Sequence, residues 1–197
     1  MLLQRHSNFR DPERLLIVIS TEGEKTEKQY FERFKTETIT ALVLETPHGE
    51  SSPLQVKQRL LSFLTLHPHL PSKSAWLVMD TDRHASHLPA ILAEAKQVGF
   101  QVAISNPCFE LWLWLHHFEV DLTLTTCRQL KRALDAINGF DFHSWNPAGN
   151  NQHREQVRTA IQRANQLTGT DTLPIPHFPG TNIASLAQQL LMQQARE

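Results

Sequence analysis

Residues 15–24 read LLIVISTEGE and residues 75–82 read AWLVMDTD, and the shape common to the two stretches decides the fold. Each is a short apolar run that ends abruptly in acids: Glu22-Gly23-Glu24 after the first, Asp80-Thr81-Asp82 after the second. An apolar run without an alternating polar face is the pattern of a strand covered on both sides, as in a parallel sheet. Working outward, strands are expected at Leu15 to Ser20, Ala41 to Glu45, Ala75 to Met79 and Gln101 to Ser105. Helices are expected at Lys25 to Lys35, with Tyr30, Phe31 and Phe34 on one face, at Pro53 to Leu66, and at Leu88 to Val98 with Gly99 as terminator. Asn106-Pro107 reads as the cap and first residue of another helix, running through LWLWLHHF at 111–118. After about residue 120 the strand signal stops, and Thr126 to Ile137, Asn151 to Leu167 and Asn182 to Ala195 read as helices. The expectation is an α/β, Rossmann-like core over residues 1–120, with a parallel sheet of about four strands flanked by helices, and a helical lobe over 121–197 packed on it.

Composition narrows the setting. A chain of 197 residues can bury a real core without staples. Cys108 and Cys127 are too few for a disulfide framework, and eleven histidines without a CxxC pair make a poor zinc signature. The polar N-terminus and the lack of a long apolar run lead to the expectation of a cytoplasmic protein with no membrane association. A net charge of −1 gives no global basic field, so phosphate contacts would come from local clusters.

The acids carry the chemistry. In an open α/β sheet, ligands bind outside the carboxyl ends of the strands, where residues just past a strand are held on a rigid frame. Glu22, Asp80 and Asp82 stand at two such ends, and alternate residues such as Asp80 and Asp82 can turn both carboxylates to one point. Converging carboxylates repel unless a cation shares them. Oxygen donors without cysteine or histidine point to Mg²⁺ or Mn²⁺. A lone DxD is also a common turn or helix cap; it is the Glu-Gly after the first strand that lifts the reading above that. Gly23 suits a tight turn with close backbone approach.

Other residues have two readings each. Glu27 is either a site acid or a first-turn glutamate favoured by the helix dipole. Glu24 can close a Thr21-x-x-Glu24 capping box. Glu110 lies on an almost wholly apolar helix and so needs a partner: backbone N–H groups, an Arg or Lys, or the metal site. Trp112 and Trp114 read as core. Lys25, Arg83, Arg154 and Arg158 are candidate phosphate-holding cations, and His84, His87, His116 and His117 are candidate proton carriers; the ordinary reading of each is a surface or core residue.

The order strand-Glu-Gly, then strand-Asp-x-Asp, resembles the TOPRIM signature shared by topoisomerases, bacterial primases and OLD-family nucleases. VISTEGEKTEKQYF at 18–31, LVMDTDRH at 77–84 and ISNPCFELWLWLHHF at 104–118 together resemble the RloB-like proteins, which are associated with bacterial restriction and phage-defence loci, and PGTNIASL at 179–186 resembles a weaker block of that family. The resemblance implies a TOPRIM core in which Glu22 is a metal ligand or general acid/base, Asp80 and Asp82 bind the metal, and Glu27 and Glu110 assist. It further implies a metal-dependent nuclease acting on DNA or on RNA such as tRNA, with an ABC- or AAA-type ATPase partner, since no GxxxxGK[ST] loop occurs here. OLD nucleases use a lysine beyond the core, for which the sequence offers no clear match. A homo-oligomer is possible within this expectation. The rival readings are a non-catalytic module that binds a metal or nucleotide as a signal, and a haloacid-dehalogenase-type phosphatase, whose DxD follows the first strand rather than the third.

Overall fold

A computed structural model describes residues 15–81, 85–137, 141–142, 144–168 and 174–194. Its strands are β1 (Leu15–Thr21), β2 (Ile39–Leu44), β3 (Ala75–Asp80), β4 (Gln101–Asn106) and β5 (Gly180–Thr181). Its α-helices are α1 (Thr26–Glu32), α2 (Pro53–Leu66), α3 (Leu88–Val98), α4 (Phe109–Leu115), α5 (Cys127–Ala136), α6 (Asn151–Thr168) and α7 (Ile183–Gln194). The strands form one five-stranded sheet in the order β2-β1-β3-β4-β5, parallel except for the antiparallel edge pair β4–β5.

Successive side chains of a strand face opposite sides of the sheet, and the sequence fills both sides. Ile17, Ile19, Trp76, Val78 and Ala103 pack with α1 and α4 to α7, whereas Val18, Leu77, Met79 and Ile104 pack with α2 and α3. Helices therefore cover both faces, which is why the strands read as unbroken apolar runs. The C-terminal helices share the first of these clusters with the sheet, so one continuous core reaches from Ile17 to Leu191. Its centre is aromatic. Tyr30 stacks on Trp145 at 4.7 Å and meets Phe31, Phe109 and Trp112 edge-on. Removing a fully buried ring such as that of Trp112 costs about 3–5 kcal/mol through lost burial and the cavity left behind.

Local signals explain the element ends. Pro53 opens α2, and Gly99, in the left-handed region at φ 94°, closes α3. One expectation needs correction. Asn106 does not cap a helix: it ends β4, the Asn106–Pro107 peptide bond is cis, and α4 begins at Phe109 with Cys108 in the cap position. The dipeptide would signal a helix start equally well, but the Asn106 side chain is held by Thr81 and Pro176 instead. The sheet also gains a strand, β5, from the PGTNIASL segment, too short to show a strand pattern. Among the described residues no helix is long and apolar enough to cross a membrane.

Candidate functional site

The strand order reverses direction at β1, so β1 and β3 leave the sheet centre with crossovers on opposite faces. This is the position at which a doubly wound sheet forms its ligand crevice. Glu22 follows β1 and Asp80 is the last residue of β3, one on each side of that crevice. They are in contact: the Asp80 backbone N–H donates to Glu22 Oε1 at 3.4 Å. A cleft of about 540 Å³ opens there, lined by Glu22, Glu24, Glu27, Asp80 and Glu110 together with Lys25, Ser51 and Lys131.

Each acid is positioned by its own element. Asp80 is part-buried, and its Oδ1 accepts the N–H of Phe109 at 3.0 Å, one of the amides at the start of α4 that has no partner within the helix. Glu27, in the first turn of α1, is almost wholly buried and folds back so that its Oε1 accepts the Gly23 N–H at 3.0 Å. Gly23 permits this approach, because a Cβ there would overlap the Glu27 carboxylate. Glu110, in the first turn of α4, keeps 12 % of its side chain exposed and pairs with Lys131 Nζ of α5 at 3.3 Å.

The packing of these acids shifts their protonation. Burial pushes the Glu27 carboxyl up to about 7, and the charge of Glu110 adds to this, against the pull of the backbone hydrogen bonds and Lys131. Asp80 is raised well above the usual carboxylate range, by burial first and then by Glu27, Glu22 and Glu110. Lys131 is raised in turn, chiefly by Glu110. The cleft thus concentrates more negative charge than its own cations neutralise.

Of the residues singled out from the sequence, Glu22, Gly23, Glu24, Glu27, Asp80, Glu110 and Lys25 meet at this cleft. Asp82, Arg83 and His84 lie outside the described residues. Glu24 forms no capping box: Thr21 Oγ1 donates to Gly23 O, and Glu24 pairs with exposed His48. Arg154 holds the carbonyls of Pro147 and Ala148, and Arg158 pairs with Glu155 within α6, so neither reaches the cleft. His116 is buried among aromatic rings, and His87 and His117 are exposed without lining the cleft. Lys131 went unrecognised in the sequence. Its only signal is a place on the polar side of an amphipathic helix, and nothing local says that this side faces β1 and β3.

Among the described residues no three His, Cys, Asp or Glu side chains already stand in an arrangement that would hold a metal ion. Among the described residues the side chains of the lining nevertheless offer hard oxygen and ammonium, without imidazole or thiolate. A Mg²⁺-type ion is commonly held by one or two carboxylates with water at its other positions. The carboxyls of Asp80 and Glu27 are raised by burial first and by their acidic neighbours second.

No curated protein and no solved structure gives a significant match to this chain. The family model described as RloB-like protein matches residues 17–190, a span that runs from β1, through all five cleft acids and Lys131, into α7. With the match covering most of the chain, this protein belongs to the RloB-like family.

Proposed function

We propose that the chain is a TOPRIM-type, divalent-metal-dependent nuclease that hydrolyses phosphodiester bonds of DNA or of RNA such as tRNA, as the effector of a bacterial anti-phage system. The observation that carries this reading is the convergence of five carboxylates, Glu22, Glu24, Glu27, Asp80 and Glu110, from three separate parts of the chain on the crevice between β1 and β3, two of them with raised pKa. Carboxylates that serve only as surface charge do not collect where burial and mutual repulsion both oppose their ionisation.

Glu22 and Asp80 would hold the ion, with Asp82 beside them in sequence. A bound Mg²⁺ or Mn²⁺ supplies Lewis acidity toward the scissile phosphate and makes a neighbouring water more acidic. The protein's own groups do the rest. The Phe109 N–H fixes the Asp80 carboxylate, leaving its second oxygen for the cleft. Glu27, titrating near neutrality, can take a proton from an attacking water or return one to the leaving oxygen. Lys131, anchored by Glu110, and Lys25 place positive charge where a phosphate would enter. Lys131 also meets the family resemblance at its weakest point, the lysine beyond the core. An ATPase partner is part of the proposal, since the chain carries no phosphate loop of its own.

The test is incubation of purified protein with Mn²⁺ and a panel of DNA and structured RNA, beside an Asp80→Ala control. Cleavage by the unaltered chain alone supports the reading. Cleavage that survives in the variant comes from a contaminant and removes it, whereas Mn²⁺ binding without cleavage of any substrate favours the non-catalytic signalling module.

A further inference from the structure

A second cleft, of about 720 Å³, opens beside the first, with Thr81, Asn106, Thr126, Cys127, Arg128 and Phe178 among its walls. The two are neighbours at two points. Asp80 lines one and Thr81 the other, so the end of β3 divides them; on α5, Lys131 lines one and Arg128 the other. Residues three apart share a helix face and rise about 4.5 Å along the axis. Arg132, four residues from Arg128, lies on that face too, and all three cations are exposed, while Leu130 and Leu134 bury the opposite face. The outer face of α5, which carries Asp135 at its far end, thus sets three cations alongside the two clefts. Arg128 stands in the first turn, where the helix dipole disfavours a cation and favours an anion brought to it.

The walls of the second cleft differ from those of the first. No acid lines it. Phe178, on the segment entering β5, leaves 45 % of its surface exposed, an apolar ring face beside hydroxyl and amide groups. The floor is fixed: Asn106 Oδ1 accepts from Thr81 Oγ1 at 2.8 Å and its Nδ2 donates to Pro176 O at 3.0 Å. An aromatic face combined with a cation, set along a basic track, is how unpaired nucleotides are held.

We propose that this cleft is a subsite for an unpaired nucleotide, its base stacked on Phe178 and its phosphate against Arg128, on a single strand whose neighbouring phosphodiester lies in the acidic cleft. The inference rests on the acidic cleft being a nuclease centre and specifies its substrate: single-stranded nucleic acid, or an unpaired stretch beside the scissile bond. A base held in a duplex cannot offer its face to Phe178, so duplex does not use the subsite.

The experiment measures binding apart from cleavage. Fluorescence anisotropy of an unstructured labelled single strand, as DNA and as RNA, is recorded in EDTA and low salt against the unaltered protein, Phe178→Ala, Phe178→Trp and Arg128→Ala, with the matching duplex as comparison. Phe178→Ala is expected to weaken single-strand binding by about fivefold or more on both sugars, because stacking reads the ring face. Phe178→Trp restores it, Arg128→Ala weakens it, and duplex binding changes less than twofold with either Phe178 variant. Single-strand binding unchanged in both alanine variants, equal losses on duplex, or no single-strand binding by the unaltered protein each overturns the inference. Cleavage with Mn²⁺ is scored separately: a protein that cleaves but binds independently of both residues loses the subsite alone, and one that binds as expected but never cleaves loses the nuclease reading alone.

Discussion

The Glu27 carboxylate accepts the backbone N–H of Gly23 at 3.0 Å, across a gap that only a glycine leaves open. A methyl at Gly23 would displace the carboxylate from a site where it is buried and hydrogen-bonded. Gly23→Ala is therefore expected to lower stability by about 1–3 kcal/mol, the cost of an orphaned buried polar group, and to depress any Mn²⁺ response with it. A double-mutant cycle checks the cause: in a Glu27→Ala background the same glycine substitution should cost much less. Equal costs in the two backgrounds would show that Gly23 matters for some other reason.

On the proposed reading, Mn²⁺ added to the protein should raise its melting temperature, because an ion held by Glu22 and Asp80 would bind only the folded chain, which brings the two together. At a metal concentration a thousand times the dissociation constant, the gain is about 4 kcal/mol. Asp80→Asn keeps the size of the side chain and an oxygen for the Phe109 N–H, but removes the charge. It should abolish most of the shift while leaving the metal-free protein as stable or more so, because it also relieves repulsion with Glu22, Glu27 and Glu110. A full Mn²⁺ shift in this variant would place the ion elsewhere.

Glu27 makes the metal-free protein sensitive to alkali. Its carboxyl titrates at about 7 in the fold against an ordinary value of 4.5, so between these the native state holds a proton that the unfolded chain has released. Stability from this group is complete below 4.5 and is lost as pH rises through 7. At 1.36 kcal/mol per unit the loss is on the order of 3 kcal/mol. Thermal melts in EDTA should show Glu27→Gln gaining on the unaltered protein from pH 4 to pH 8. Parallel curves would mean that the carboxylate ionises in the fold without penalty.

How much of this was legible in the sequence depended on how local each signal is. Pro53 and Gly99 act within one or two residues, so the bounds of α2 and α3 could be read directly. The places of Glu22 and Asp80 were legible because a strand carries its end to a known edge of the sheet, whatever happens between the strands. Lys131 was not, because its approach to Glu110 depends on how Leu130 and Leu134 seat α5 in the core, a tertiary fact absent from the residues around it. β5 escaped for a related reason: two residues carry no periodicity, and their strand character comes from pairing with Ser105 and Asn106. Asn106-Pro107 misled because the same dipeptide serves a helix cap and a cis turn, and the choice between them was made by Thr81 and Pro176, which are distant in sequence.

His116 gives the opposite pH response. The ring lies between the Trp112 carbonyl, 2.9 Å from Nδ1, and the Tyr30 hydroxyl, 3.1 Å from Nε2. A neutral ring satisfies both by donating from Nδ1 and accepting at Nε2. Burial among aromatic rings pulls its pKa down to about 3, and His117 and Arg163 nearby push the same way. The unfolded chain, with histidine at its ordinary 6.5, binds a proton in the interval that the native state refuses. Stability from this group is therefore complete above 6.5 and falls as pH drops toward 3, by about 1.4 kcal/mol per unit at most. His116→Gln, which cannot titrate, should be less stable than the unaltered protein at pH 7 but lose less between pH 6 and pH 4, so that the two curves converge on acidification. Glu27 is present in both proteins and drops out of the difference. Urea titrations at several pH values check this; curves that stay a constant distance apart would mean that His116 takes up its proton inside the fold as readily as in water.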